Sequence, residues 1–103
     1  MEQIAVVAGL KPGTEEQARK LIGTGPPFDP AAAELARHSV YLSTADVVFV
    51  FEGPQVERRL HELVTAPFRP ELTAALDDWR DIVDGPARIA RATFTWERGA
   101  PGP

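Results

Sequence analysis

Apolar residues along this chain change period in a readable order. "QIAVVAG" (3–9) puts Ile4, Val6 and Ala8 on one side of an extended segment and Gln3, Ala5 and Val7 on the other. It ends at a glycine, and "KPG" follows as a turn signal. The period then becomes helical, with Ala18, Leu21 and Ile22 in an i, i+3, i+4 stripe. Thr14 and Gln17 have the spacing of a capping box, Glu15 and Glu16 suit the helix start, and "GTGPP" (23–27) ends the helix. Asp29, Pro30 and "AAAELAR" (31–37) predict a second, short helix. "HSVYLS" (38–43) predicts a strand with Val40 and Leu42 on one side and Ser39, Tyr41 and Ser43 on the other.

"DVVFVFEG" (46–53) departs from simple alternation. Its five consecutive large apolar residues leave no wet face, as expected of a central strand covered on both sides. After Gly53-Pro54, Val56, Leu60, Leu63 and Val64 form the apolar face of a helix. "TAPFRP" interrupts it, and from Pro70 a further helix carries Leu72, Ala75, Leu76, Trp79, Ile82 and Val83 in one stripe. Gly85-Pro86 is expected to stop that helix. "RIARATFTWE" (88–97) alternates Ile89, Arg91, Thr93 and Thr95 with Ala90, Ala92, Phe94 and Trp96, which predicts a last strand.

The order is βαββαβ, an α+β class pattern. It implies a ferredoxin-like antiparallel sheet with the first and third strands central and helices on one face. The other face would carry Ala5 and Val7 with either Val48 and Val50 or Val47, Phe49 and Phe51. An apolar area of that kind is seldom left wet. The expectation is a homodimer formed through the open sheet face, two sheets pairing into an α+β barrel. Residues 1–98 read as a single domain and residues 99–103 as a disordered tail.

Composition narrows the function classes. Of the 103 residues, 44% are hydrophobic and 25% charged, as in ordinary globular proteins. The net charge of −4, with arginines scattered among acids, speaks against a nucleic-acid surface. The absence of cysteine removes disulfides, thiol nucleophiles and thiolate metal sites. No apolar run reaches the ~20 residues of a membrane span, and no signal peptide is readable, so the expected location is cytoplasmic, off the membrane. "GLKPGT" lacks the Gly-Lys-Ser/Thr core of a phosphate loop. The acids of "DDWRD" sit on the exposed side of their helix with no histidine beside them, so no metal site is expected.

Over residues 3–97 the chain resembles the dimeric α+β barrel superfamily. "VVAGLKPGTEEQARKLI" is similar to the strand–turn–helix entry of antibiotic-biosynthesis monooxygenases. The stretch "HSVYLSTADVVFVFEGPQVERRLHELVTAPFRPEL", with the closing "ARATFTWE", resembles tetracenomycin-type polyketide cyclases. Those cyclases often carry a histidine before the hairpin aspartate, where this chain has Ala45. The resemblance implies a hydrophobic, often aromatic, small molecule held between helices and sheet. It also implies metal-independent monooxygenase or cyclase chemistry with no cofactor. Two alternatives stay open: a non-catalytic binding or regulatory module, and a haem-binding relative.

Within that frame His38 is the leading acid/base candidate, because imidazole titrates near neutral pH, and Tyr41 is the second. Phe28, Phe49, Phe68 and Trp79 are the candidate ligand-binding aromatics. His61 falls away from its helix's apolar stripe and is expected to face water beside Glu57. Arg91, a charge inside a strand, is expected to pair with a carboxylate or carbonyl if it faces the dimer interface.

Overall fold

The structure, a computed structural model, describes residues 2–65 and 70–99, with side chains described outside 63–65 and 70–73. The elements run β1 (Glu2–Leu10), α1 (Glu15–Gly23), β2 (Arg37–Leu42), β3 (Asp46–Gly53), α2 (Val56–Thr65), α3 (Pro70–Arg80) and β4 (Val83–Arg91). The four strands form one antiparallel sheet in the order β2-β3-β1-β4, the ferredoxin-like arrangement predicted from the period changes. No helix among the described residues is long and apolar enough to cross a membrane.

Register decides which residues of the central strands meet the helices. Ile4 lies opposite Phe51, Val6 opposite Phe49 and Ala8 opposite Val47. On the far side of β3, His38, Val40 and Leu42 continue the same three rows. These rows are the helix-facing side. Ala8, Leu10, Ala18, Val47 and Ile82 form one buried cluster, and Ile4, Phe51 and Val56 a second. The pleat sends every alternate residue the other way. The open face therefore carries Ala5 opposite Val50 and Ala90, and Val7 opposite Val48. Ser39 and Tyr41 extend those rows on β2.

Four local expectations change in the folded chain. Thr14 does not cap α1 through its side chain; its hydroxyl donates to the Lys11 carbonyl at 2.7 Å, closing the preceding turn. The segment after Asp29 makes one turn and no helix. The Asp29 carboxylate accepts the Ala31 N–H at 3.0 Å, as a cap would, but Glu34 adopts φ 57° and ends the turn. Alanine propensity yields there to a tertiary demand, because the next residues must enter the sheet, where the Ala36 N–H donates to the Glu52 carbonyl at 2.7 Å.

Gly85-Pro86 lies inside β4, and α3 has already stopped at Arg80. Val7 pairs with Arg88 and Gly9 with Asp84, so β4 carries extra residues opposite Ala8. Gly85, at φ 80°, supplies the left-handed conformation this bulge needs. Finally, β4 ends at Arg91 and not at Glu97. Arg91 pairs with Ile4, so the same register would place Thr93 opposite Glu2, the first residue of β1. Among the described residues, none stands opposite Phe94 or the residues after it.

Gly53 closes β3 under a tight constraint. A Cβ there would stand 2.9 Å from the Glu34 carbonyl oxygen and 3.3 Å from the Leu35 Cα, both backbone atoms. Gly53→Ala is expected to lower stability by about 1–3 kcal/mol by forcing the entry to β2 off the sheet. A urea titration checks this; an unchanged midpoint would show that the crossing segment yields freely.

Candidate functional site

The helices do not close down on the whole helix-facing side of the sheet. Between them lies a cavity of about 1160 Å³, somewhat above the size of ordinary small-molecule pockets. Its sheet wall is Ile4, Val6, Ala8, Val40, Phe49, Phe51 and Ile89, all on the helix side of the pleat. Leu21 and Ile22 of α1, Leu60 of α2, and Leu76 and Trp79 of α3 face it from the helices. Phe28, on the segment after α1, completes one side.

Trp79 meets Phe49 edge to face, with ring centroids 5.2 Å apart and an interplanar angle of 86°. That arrangement fixes both rings while leaving aromatic surface toward the cavity. Near Phe51 stands the site's imidazole. The His38 ring stacks on Phe51 at 4.5 Å and 21°, and Phe28 lies tilted against it at 5.8 Å. His38 Nδ1 lies 3.0 Å from the Val50 carbonyl oxygen. A carbonyl can only accept, so Nδ1 carries the hydrogen and Nε2 is the acceptor nitrogen of the neutral ring. The imidazole is thus held in one tautomer, stacked on Phe51 with Phe28 beside both rings, on the border of an apolar cavity.

Polar groups gather at the α2 rim, where Glu2, Gln55, Glu57, Arg58 and His61 border the opening. Arg91, at the end of β4, reaches α2 and makes a two-point pair with the Glu57 carboxylate, Nε to Oε2 at 3.1 Å and Nη2 to Oε1. Hydrogen bonding from Arg91, and its positive charge, hold the Glu57 carboxyl below its ordinary 4.5 and raise the Arg91 guanidinium. The partner is a carboxylate, but not at the sheet face where the expectation placed it. Arg91 makes the pair on the helix side, clear of the open face.

The predicted site residues divide by position. His38, Phe28, Phe49 and Trp79 border the one cavity. Tyr41 points from the opposite face of the sheet and is 62% exposed, because it lies three positions on from His38 and an odd step reverses the pleat. Its place gives it no access to this cavity. Phe68 lies outside the described residues. His61 is exposed, as its helical angle predicts, yet also borders the cavity rim. Phe51, the stacking partner of His38, was missed although period two from Phe49 places it on the same side. No group of three or more histidines and acids among the described residues is placed to hold a metal ion.

Comparison of the sequence with protein-family models and with curated proteins finds no match. Solved structures share the fold over nearly the whole chain. A protein from Agrobacterium tumefaciens, 15% identical, matches with a TM-score of 0.65 and covers 98% of each chain. One from Mycobacterium tuberculosis, 13% identical, gives 0.60 over 95% of this chain and 98% of that one. A candidate antibiotic biosynthesis monooxygenase from Chloroflexus aurantiacus, 11% identical, gives 0.52 over the same shares. The fold is therefore that of the structures to which the sequence resemblance pointed.

The lowered pKa of Glu57 has a signed consequence. The unfolded carboxyl takes up its proton at higher pH than the folded one, so the pair's stabilisation is complete above about pH 4.5 and drains as pH falls through the lowered value. Glu57→Gln should melt below the parent at pH 7, with the difference shrinking in acid. A melting-temperature difference that stays constant from neutral to acid pH would contradict this linkage.

Proposed function

We propose that the protein, acting as a homodimer, binds a flat, hydrophobic aromatic molecule in the helix–sheet cavity and oxidises it with molecular oxygen without a metal or bound cofactor. The observation that carries this reading is the joining of a large aromatic-walled cavity to a single imidazole whose tautomer is fixed by the Val50 carbonyl. Apolar walls with one or two orienting polar groups are the usual form of a small-molecule site. The likeness in fold to a candidate antibiotic biosynthesis monooxygenase supports the same class.

The reaction asks little of the protein beyond a base and a dry pocket. In an anthrone-type substrate, the ring methylene is acidic because the carbanion delocalises as a phenolate. His38 Nε2 takes that proton. The substrate anion gives up electrons to oxygen, a carbon–oxygen bond forms, and the resulting peroxide breaks its O–O bond. Loss of water leaves a ketone where the methylene stood. One oxygen atom enters the product and the other leaves in water, so the substrate supplies all the reducing electrons. Phe51 stacks on the imidazole ring and Phe28 packs beside it, which limits its rotation away from the substrate. Rows of Ala5, Val7, Val48 and Val50 on the open face support the homodimer, since such an area is seldom left wet.

Oxygen uptake with anthrone tests the chemistry. His38→Gln should retain anthrone binding, followed by Trp79 emission, while turnover falls about 10²–10⁴-fold. Saturable binding by the parent protein with oxygen uptake no faster than in buffer would leave a binding module and overturn the oxygenase. Light scattering at micromolar concentration should give twice the chain mass. A single-chain mass would overturn the dimer.

A further inference from the structure

The polar residues bordering the cavity are few and unevenly placed. Among the described residues they are His38, Arg80 and the five at the α2 rim, Glu2, Gln55, Glu57, Arg58 and His61. The arginines are already engaged by acids. Arg80 Nη1 donates to the Asp77 carboxylate at 2.9 Å and Arg58 Nε to the Glu62 carboxylate at 3.2 Å, each within its own helix. Arg91 meets the rim at Glu57. With those partners included and His61 taken as neutral, the rim holds three acids, Glu2, Glu57 and Glu62, against two arginines, Arg58 and Arg91. Such a rim suits hydrogen-bond donors and repels anions.

Sheet register fixes where that rim lies relative to His38. Arg91 pairs with Ile4, Ile4 with Phe51 and Phe51 with His38, so the four stand in one row across the sheet, on its helix side. Three strand spacings put the ends of the row about 14 Å apart at the backbone. The imidazole stands at one end. At the other, the Arg91 pair brings in the Glu57 carboxylate from α2. Arg91 uses one position on each carboxylate oxygen, and an ionised carboxylate offers about four in all, so each oxygen can accept again. The same pair holds the carboxyl below its ordinary value, which keeps it ionised at neutral pH and an acceptor only.

We propose that Glu57 is the residue that orients the ligand: it accepts a hydrogen bond from a hydroxyl on the ligand's far ring while the reacting carbon lies at His38. The ligand class is a neutral, hydroxylated flat aromatic, and an aryl carboxylate is turned away. Arg91 is a positioning residue, since it fixes the carboxylate and touches no ligand. A ligand turned end for end would carry its hydroxyl to His38 and leave Glu57 without the donor, so one direction of binding is favoured. The proposal rests on the ligand reading of the cavity above and adds to it a residue, a ligand group and a direction.

Three flat probes test this at neutral pH under nitrogen, where no oxidation runs: anthracene, 2-hydroxyanthracene and anthracene-2-carboxylate, each followed by its own emission. The parent protein should bind the hydroxy probe at least about tenfold more tightly than anthracene, and the carboxylate more weakly than either. Glu57→Gln should erase most of the hydroxyl preference, keep anthracene within about threefold and bind the carboxylate better. Arg91→Gln breaks the same ion pair but leaves the acid, so it should keep the hydroxyl preference and bind the carboxylate still less well. Circular dichroism confirms that each variant is folded at the temperature used. Shifts of the carboxylate probe in the same direction in both variants would reduce the pair to a brace and overturn the proposal. A parent protein that binds all three probes equally would overturn it and leave the cavity as a ligand site. Binding of none of them would overturn the ligand reading of the cavity as well.

Discussion

The strict alternation of the pleat along β1 and β3 is the constraint from which the rest of the molecule follows. Both strands are apolar on both sides, and they are locked by pairs running from Glu2–Gly53 to Gly9–Asp46. A slip of one residue would turn Ile4, Ala8, Val47 and Phe51 out of the core and bring Ala5, Val7, Val48 and Val50 in. The two sets differ in volume. The larger residues, including both phenylalanines, face the helices, and the smaller ones face away. Helix packing thus selects the register, and register in turn fixes the character of each surface.

That division explains why a cavity can persist beneath the helices. Buried contact concentrates in two clusters, one near Ala8, Ala18 and Val47 and one near Ile4, Phe51 and Val56. Phe49 packs against both, with Val6 and Val40 in its row. The clusters anchor the helices at two places, and Trp79 braces Phe49 edge to face between them. The two-point bond from Arg91 to Glu57 ties α2 to the end of β4 in addition. A framework held at separate points can leave space between them without losing the burial that keeps it folded.

Much of this was legible because period and parity are properties of the sequence. Strand order, the apolar character of β3 on both sides, and the placing of His38 and Phe49 on the helix side of the sheet all follow from alternation and topology. What was not legible depended on residues far apart in the chain. The turn after Asp29 carries strong helix formers, and only the approach of Glu34 to Gly53 explains why they form a single turn. Gly85-Pro86 looks like a helix stop, and only the unequal spacing of Val7–Arg88 and Gly9–Asp84 shows it to be a bulge. The strand pattern through Glu97 is real as a pattern. It does not become a strand within the sheet because pairing is a property of two segments.

The same parity separates the candidate chemistry from the candidate assembly surface. His38 and Tyr41 are three residues apart, and on a pleated strand that odd step is decisive. His38 stacks on Phe51 with Phe28 beside both, and its Nδ1 hydrogen is committed to the Val50 carbonyl. Tyr41 stands on the other side, in the row of Val48. A tyrosine meant to share a proton with that imidazole would have to lie at an even step, where Val40 and Leu42 are. The chain instead keeps those even positions apolar and leaves one imidazole beside the cavity on this strand. Any proton moved there passes through a ring with a single available nitrogen, while the hydroxyl of Tyr41 belongs to the surface with the valines and alanines.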